Sequence, residues 1–216
     1  MTTTSRSYAP VGPVTLEGQY VRLIPLSLDH VPALAAAAGE DRSNYQWTWV
    51  PDGEAATCAY VEEALALASN RDAIPFTTTL AATGQVVGTT RFARFEYHAW
   101  EAGSRHFRGS TVPDGVEIGW TWLAHSAQRT RVNTEAKWLM LRYAFEELGV
   151  RVVRLNTDRR NVRSRAAIER IGGKLDGVLR ANRAATDDTV RDSAAYSIIE
   201  SEWPEVDAAL RARLAR

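Results

Sequence analysis

The segment Gln128-Arg129-Thr130-Arg131-Val132-Asn133-Thr134 joins a strand-like stretch, Val116–Leu123, to an amphipathic helical stretch, Asn133–Leu148. The first turn of a helix carries free N–H groups and about half a positive charge, so a loop entering it after a strand can cradle a phosphate. Arg129 and Arg131 add two guanidiniums, whose planar fork matches phosphate oxygens. The surrounding charge agrees with this chemistry. Between Gln128 and Arg170 there are ten Arg, one Lys and five acids, a local net of +6, in a chain whose 26 basic and 26 acidic residues cancel. A positive island in a neutral chain suggests a discrete anionic ligand, the alternative being a solvated Arg-rich surface. A nucleic-acid module has only this segment in its favour, and neither polyanions nor an anionic membrane would be drawn to the chain as a whole.

Other reactive residue types are sparse. Cys58 is the one cysteine, so no intrachain disulfide forms, and four scattered His (His30, His98, His106, His125) give no metal-ligand spacing. No metal is expected. Seven Trp in 216 residues stand out. Trp120 and Trp122 lie on one strand, where alternation puts both on one face, and core packing is the favoured use. Trp47 and Trp49 lie in a polar loop, where burial is less automatic; with Trp120 they are candidates to line an acceptor site.

The elements that must position these residues can be read from periodicity. Residues 1–13 are Thr/Ser/Pro-rich, without the apolar run of a signal peptide, and read as a flexible tail. A strand falls within Val14–Leu26 and a helix from Ser27 through Ala38; then come the aromatic loop Gly39–Gly53 and a helix over Glu54–Ala68. Strands Pro75–Ala81 and Gln85–Phe95 form a hairpin about Ala82-Thr83-Gly84. Residues 98–114 have no period and read as an excursion. Ala136, Leu139, Met140, Tyr143, Ala144 and Leu148 mark the helix ending at Gly149. A strand over Val150–Thr157, a helix over Asn161–Ile171, strands Lys174–Arg180 and Val190–Ile199, and a helix over Glu202–Arg216 complete one α+β domain, residues 14–216. No apolar run approaches the 20 or so residues that span a bilayer, so a cytoplasmic protein is expected.

The segment from Asn161 to Gly172 fits N-x-x-S-x-x-x-I-x-x-x-G, and this pattern resembles that of the GNAT N-acetyltransferases. The loop at Gln128 stands where that superfamily has its pyrophosphate loop. Leu16-Glu17-Gly18-Gln19-Tyr20-Val21-Arg22-Leu23, Asn133-Thr134-Glu135-Ala136-Lys137, Gly177-Val178-Leu179-Arg180, Arg191-Asp192, Tyr196-Ser197-Ile198 and Glu202-Trp203-Pro204 resemble the RimJ/RimL-like branch. The resemblance spans about residues 14–205. It departs at Arg131 and Asn133, where the general loop has small residues that permit close backbone approach.

The resemblance implies a mostly antiparallel sheet, splayed between its fourth and fifth strands and flanked by helices, with acetyl-CoA as donor to an amine. Backbone at Leu123 and Ala124 would pair with pantetheine. Arg129, Thr130, Arg131, Val132, Asn133 and Thr134 would hold the pyrophosphate, with Asn161 and Arg165 as further cofactor contacts. Ser164 would protonate the leaving thiolate, and Glu117 would be the base or amine anchor. The acceptor is left open among a peptide N-terminus, an amino acid and an aminoacyl-type small molecule, and a homodimer is compatible. The alternative is a non-catalytic acyl-CoA-binding or regulatory domain, against which the Asn161/Ser164 pair speaks.

Overall fold

Eight strands pair into one sheet of order β1-β2-β3-β4-β5-β6-β8-β7 in the computed structural model, which describes residues 7–101 and 103–216. The strands are β1 Leu16–Glu17, β2 Val21–Pro25, β3 Ala73–Leu80, β4 Val86–Glu96, β5 Gly115–Leu123, β6 Val152–Asp158, β7 Lys174–Ala184 and β8 Val190–Ile199. Every neighbouring pair is antiparallel except β5–β6. That parallel pair registers only Gly115↔Val152, Val116↔Val153 and Glu117↔Arg154. Beyond Glu117 the two strands part, while each stays paired on its outer side. The expected α+β architecture with a splayed sheet is the one observed.

The helices are α1 Val31–Gly39, α2 Gly53–Ser69, α3 Arg131–Arg142, α4 Val162–Arg170 and α5 Trp203–Leu214. α1 and α2 pack on each other and on β3 and β4; α3 packs against β1, β2 and α5. The periodicity of the central helix holds, with Leu139, Met140, Ala144 and Leu148 all buried. Its boundaries differ from the expected Asn133–Leu148. α3 begins at Arg131, because Thr130 caps it by accepting from the Val132 N–H at 3.2 Å. It passes into π-helical turns over Tyr143–Leu148. Gly149 ends it in the left-handed region, φ 72°, where a Cβ would strike the Tyr8 ring.

The second half of the expected tail makes contacts with the domain. Ala9 N–H donates to the Glu147 carbonyl at 2.8 Å, and Ala9 and Val11 pack on the core. Residues 1–6 of that tail lie outside the described residues. The excursion over 98–114 is organised by Asp114, which accepts from His98 N–H, Trp100 Nε1 and Arg151 Nε at 2.7–2.9 Å. No described helix is long and apolar enough to cross a membrane.

The expected strand within Val14–Leu26 is broken at Gly18–Tyr20, and the reason lies on α3. The Glu135 carboxylate, 3% exposed, accepts from the backbone N–H groups of Gln19, Tyr20 and Val21 at 2.6–2.9 Å. A Cβ on Gly18 would sit 2.4 Å from Glu135 Oε2, so only glycine leaves room for the carboxylate. This junction fixes the start of α3 against the sheet. Glu135→Ala strands three N–H groups, at about 1–3 kcal/mol for each donor that finds no water. We expect a loss of at least about 3 kcal/mol by urea denaturation, with Gly18→Ala also destabilising and the two costs less than additive.

Candidate active site

A cleft of ≈ 1380 Å³ opens where β5 and β6 part. Its walls come from β5, the loop and first turns leading into α3, β6, the start of α4, and the β7–β8 hairpin. Past Glu117 the β6-facing backbone groups of β5 have no ladder partner. An extended ligand with amides can add to such an edge as a strand would. The lining carries Arg129 and Arg131 from the entrance to α3, Arg163 and Arg170 from α4 and Arg213 from α5, with Arg91, Arg183 and Arg191 from β4, β7 and β8. Its described lining carboxylates are Glu63, Glu117 and Asp158. Part of the positive island reaches this concave site, through Arg129, Arg131, Lys137, Arg163 and Arg170, while Arg151, Arg154 and Arg160 of the same island pair with carboxylates outside the lining or at its edge.

The basic loop is shaped as a helix entrance. Thr130 Oγ1 takes the Val132 N–H, and the other first-turn N–H groups of α3 have no intrahelical acceptor. The strained position is Arg129, at φ 60°, and not Arg131 or Asn133. Arg131 lies inside the helix with its guanidinium 5.1 Å from the Tyr20 ring centroid. The small residue expected at positions 131 and 133 is thus not required there by backbone angle. The backbone constraint has moved to 129, where an arginine holds a turn that favours glycine.

Of the expected cofactor contacts, Leu123, Arg129, Thr130, Arg131, Asn133, Thr134 and Asn161 line the cleft. Ala124, Val132 and Arg165 do not. Ala124 is fully buried and its N–H donates to the Val87 carbonyl at 2.7 Å. Val132 is buried and its N–H is capped. Arg165 turns away, its Nε donating to Tyr196 Oη at 2.9 Å. The Leu123 carbonyl lines the cleft but already accepts from Tyr45 Oη and Gln128 Nε2, both at 2.9 Å. Arg163 faces the cleft instead of Arg165. It donates to the Asn44 carbonyl at 2.9 Å and to Asn44 Oδ1, and so ties the aromatic loop to α4 across the opening. A helix position two residues earlier decides this, which residue type alone does not reveal.

Asn161 and Ser164 meet as a helix cap. Asn161 Oδ1 accepts the Ser164 N–H at 3.0 Å, which fixes the strand–helix junction. Ser164 is half-buried and lines the cleft, and its hydroxyl has no partner among the described residues. Glu117 lies at the last paired position of β5, 5% exposed, with Arg94 at 3.0 Å and Arg183 at 3.6 Å. Burial pushes its carboxyl above the usual range, against the pull of Arg94 and of the Asn156 side chain.

The aromatic candidates line the cleft as well. Trp49 is 60% exposed and 5.9 Å from Tyr60; Trp47 carries the Arg160 guanidinium 4.1 Å from its centroid. Trp120 sits at φ 50° in a bulge, where Thr90 of β4 faces both Trp120 and Thr121. The bulge breaks the alternation expected for Trp120 and Trp122. Trp122 is in the core at 3% exposure, and Trp120 stays partly buried between Arg91 and Arg94.

Lys137 is a cleft residue that sequence reasoning placed only in a motif. It is buried, and Nζ donates to Thr90 Oγ1 at 2.9 Å and Thr121 Oγ1 at 2.6 Å, at the bulge. The next turn of the helix beside it, Met140 and Leu141, is apolar and fully buried, so a lysine there was the available signal. Burial lowers its pKa from 10.5 to about 7. The unfolded chain holds that proton over about pH 7–10.5 where the fold does not, so this group makes stability rise with pH across the window. The two threonine hydroxyls are 2.8 Å apart and bond each other without the amine. Lys137→Met should therefore stabilise by about 2–4 kcal/mol near pH 6–7, with the gain shrinking toward pH 10 in urea melts.

The sequence model described as an acetyltransferase (GNAT) domain matches residues 21–174, so this chain belongs to the GNAT acetyltransferase family. Among solved structures, it is similar to a GCN5-related N-acetyltransferase from Brucella melitensis: 26% identity, 99% of this chain and 90% of that one, TM-score 0.81. It is 33% identical to a protein from T. thermophilus described as an acetyltransferase, over 94% and 97% of the two chains, TM-score 0.73. Mycobacterium smegmatis RimJ, solved in complex with CoA-disulfide, shares the fold at 20% identity, 94% and 96% coverage and TM-score 0.77. No curated protein matches the chain significantly.

Proposed function

We propose that the protein transfers an acetyl group from acetyl-CoA to the nitrogen of a small amine. The observation that carries this reading is the open β5 edge running between the cationic entrance to α3 and the buried Glu117. An extended, amide-bearing ligand with a polyanionic end fits that succession, and acetyl-CoA would supply the activated thioester. The first-turn N–H groups of α3, with Arg129 and Arg131, suit the pyrophosphate. The edge of residues 118–122, which has no ladder partner, suits the pantetheine amides, and Glu117 faces the far side.

The chain's own residues then have definable tasks. Glu117 takes a proton from the attacking ammonium, and its burial moves its pKa toward that work. The freed amine forms the C–N bond as the C–S bond breaks, the Ser164 hydroxyl gives its proton to the departing sulfur, and the serine is reprotonated by the proton the new amide nitrogen sheds. Trp47, Trp49 and Trp120 exclude water from the acceptor.

A panel of amines with acetyl-CoA, read as thiol release and product mass, tests the reading; CoA binding with no amine acetylated would overturn it. Arg129→Gly keeps the left-handed turn and removes the charge. It should weaken CoA about tenfold or more, and a pantetheine fragment without phosphates much less, by calorimetry. Ser164→Ala should lower kcat by about 10²–10⁴ with little change in acetyl-CoA affinity. A carboxylate base must be ionised to act, so kcat/KM should rise with pH through a value above the usual carboxylate range. Glu117→Gln should lose that acid limb together with about 10²-fold or more in rate.

A further inference from the structure

Arg91, on β4 opposite Gly119, is 1% exposed and lines the cleft. Its guanidinium lies 4.8 Å from the Trp120 centroid and 5.1 Å from that of Tyr60. Neither Nη1 nor Nη2 has a hydrogen-bond partner among the described residues. The Nε of Arg191, also a cleft residue, is likewise buried without one. Buried guanidinium donors are ordinarily paired, because desolvating them unpaired is costly. The two aromatic rings engage the charge, yet they offer no acceptor for the N–H groups. Nearby Glu117 does not fill the gap at Arg91: its ion-pair partners are Arg94 and Arg183, and with Asp158 it is the negative charge that faces Arg191. Asp158 is held by Arg160 at 2.8 Å. The cleft thus presents a carboxylate that can receive an ammonium and, on the neighbouring strand, a planar fork with nothing to hold.

We infer that the acceptor is an amine bearing its own carboxylate, with the ammonium directed to Glu117 and the carboxylate held by Arg91, assisted by Arg191. This rests on the acetyltransferase reading and narrows it to a zwitterionic acceptor. A fork of two parallel N–H donors fits a carboxylate better than any neutral group. The Arg91 side chain lines the cleft with its fork buried in the wall against Tyr60 and Trp120, so a carboxylate engages it when the fork moves out to the surface. A free α-amino acid and an acidic residue at a peptide's start both supply such a carboxylate, with the same chemistry.

The test compares α-amino acids, their α-amides, and dipeptides beginning with Asp or Ala, each with acetyl-CoA and the full chain. The free acid should exceed its amide by about 100-fold in kcat/KM, as expected when a buried charged pair loses one partner. A high rate for Asp-initiated over Ala-initiated dipeptides would assign the carboxylate to the peptide side chain. Arg91→Met should raise KM for the acid about 100-fold, lower kcat far less, and collapse the preference toward unity. Arg91→Lys should recover part of it. Equal use of acids and amides together with equal use of Asp- and Ala-initiated dipeptides by the unaltered protein, or an equal slowing of all of them by Arg91→Met, would overturn the clamp while leaving acetyl transfer standing. If no amine releases thiol, the acetyltransferase reading falls. Calorimetry of N-acetyl acids against N-acetyl amides in the presence of CoA then still decides the clamp: preferential binding of the acid supports it, and equal or absent binding overturns it.

Discussion

A parallel strand pair that stays together for only three registered residues controls this molecule. Gly115, Val116 and Glu117 bond to β6, and after them both strands keep their outer partners but lose each other. Backbone groups cannot be left buried without partners, so a splayed sheet must either admit water or admit something that hydrogen-bonds like a strand. The parting therefore creates the cleft and dictates the chemistry of what fits it. It also places Glu117 at the fork, the last residue shielded by two strands and the first to face the opening.

Two devices hold the fork open in the correct shape. On one side the Glu135 carboxylate binds three successive N–H groups of the β1–β2 turn and so anchors the first turns of α3 beside the cleft. On the other, the bulge at Trp120 twists β5 as it leaves β6, with Lys137 bonded to Thr90 and Thr121 behind it. The first stabilises the fold, because three N–H donors satisfy the buried carboxylate, whereas the second buries an amine at a cost in folding stability. The aromatic loop then crosses from β5 to α4 through Tyr45 on the Leu123 carbonyl and Arg163 on Asn44.

The charge distribution follows the same cleft. The arginines near the start of α3 and on α4 and α5 share the cleft with those on β4, β7 and β8, among them the unpartnered fork of Arg91. In sequence these groups are scattered over more than a hundred residues, and the chain is neutral overall. Only folding brings them into one cleft.

Much of this was legible in the residues themselves. The helical stripe of Leu139, Met140, Ala144 and Leu148, the Gly149 stop, the hairpin about Gly84 and the Asn161–Ser164 cap are local signals, and local backbone chemistry decides them. So was the pairing of a basic loop with a helix start, because phosphate chemistry depends on neighbours in sequence. Other features could not be read there. By residue type, Arg165 rather than Arg163 is the contact to expect, Ala124 and Val132 are free to bind, and residues 7–13 are loose. Each depended on a partner far along the chain: Tyr196, Val87 and Glu147 for Arg165, Ala124 and Ala9, and helix geometry for Val132. The buried Lys137 and the unpartnered Arg91 belong to the same class. A sequence determines which groups are present and which local turns they favour, but whether a donor is spent or left over is settled only when distant strands and helices have taken their share of acceptors.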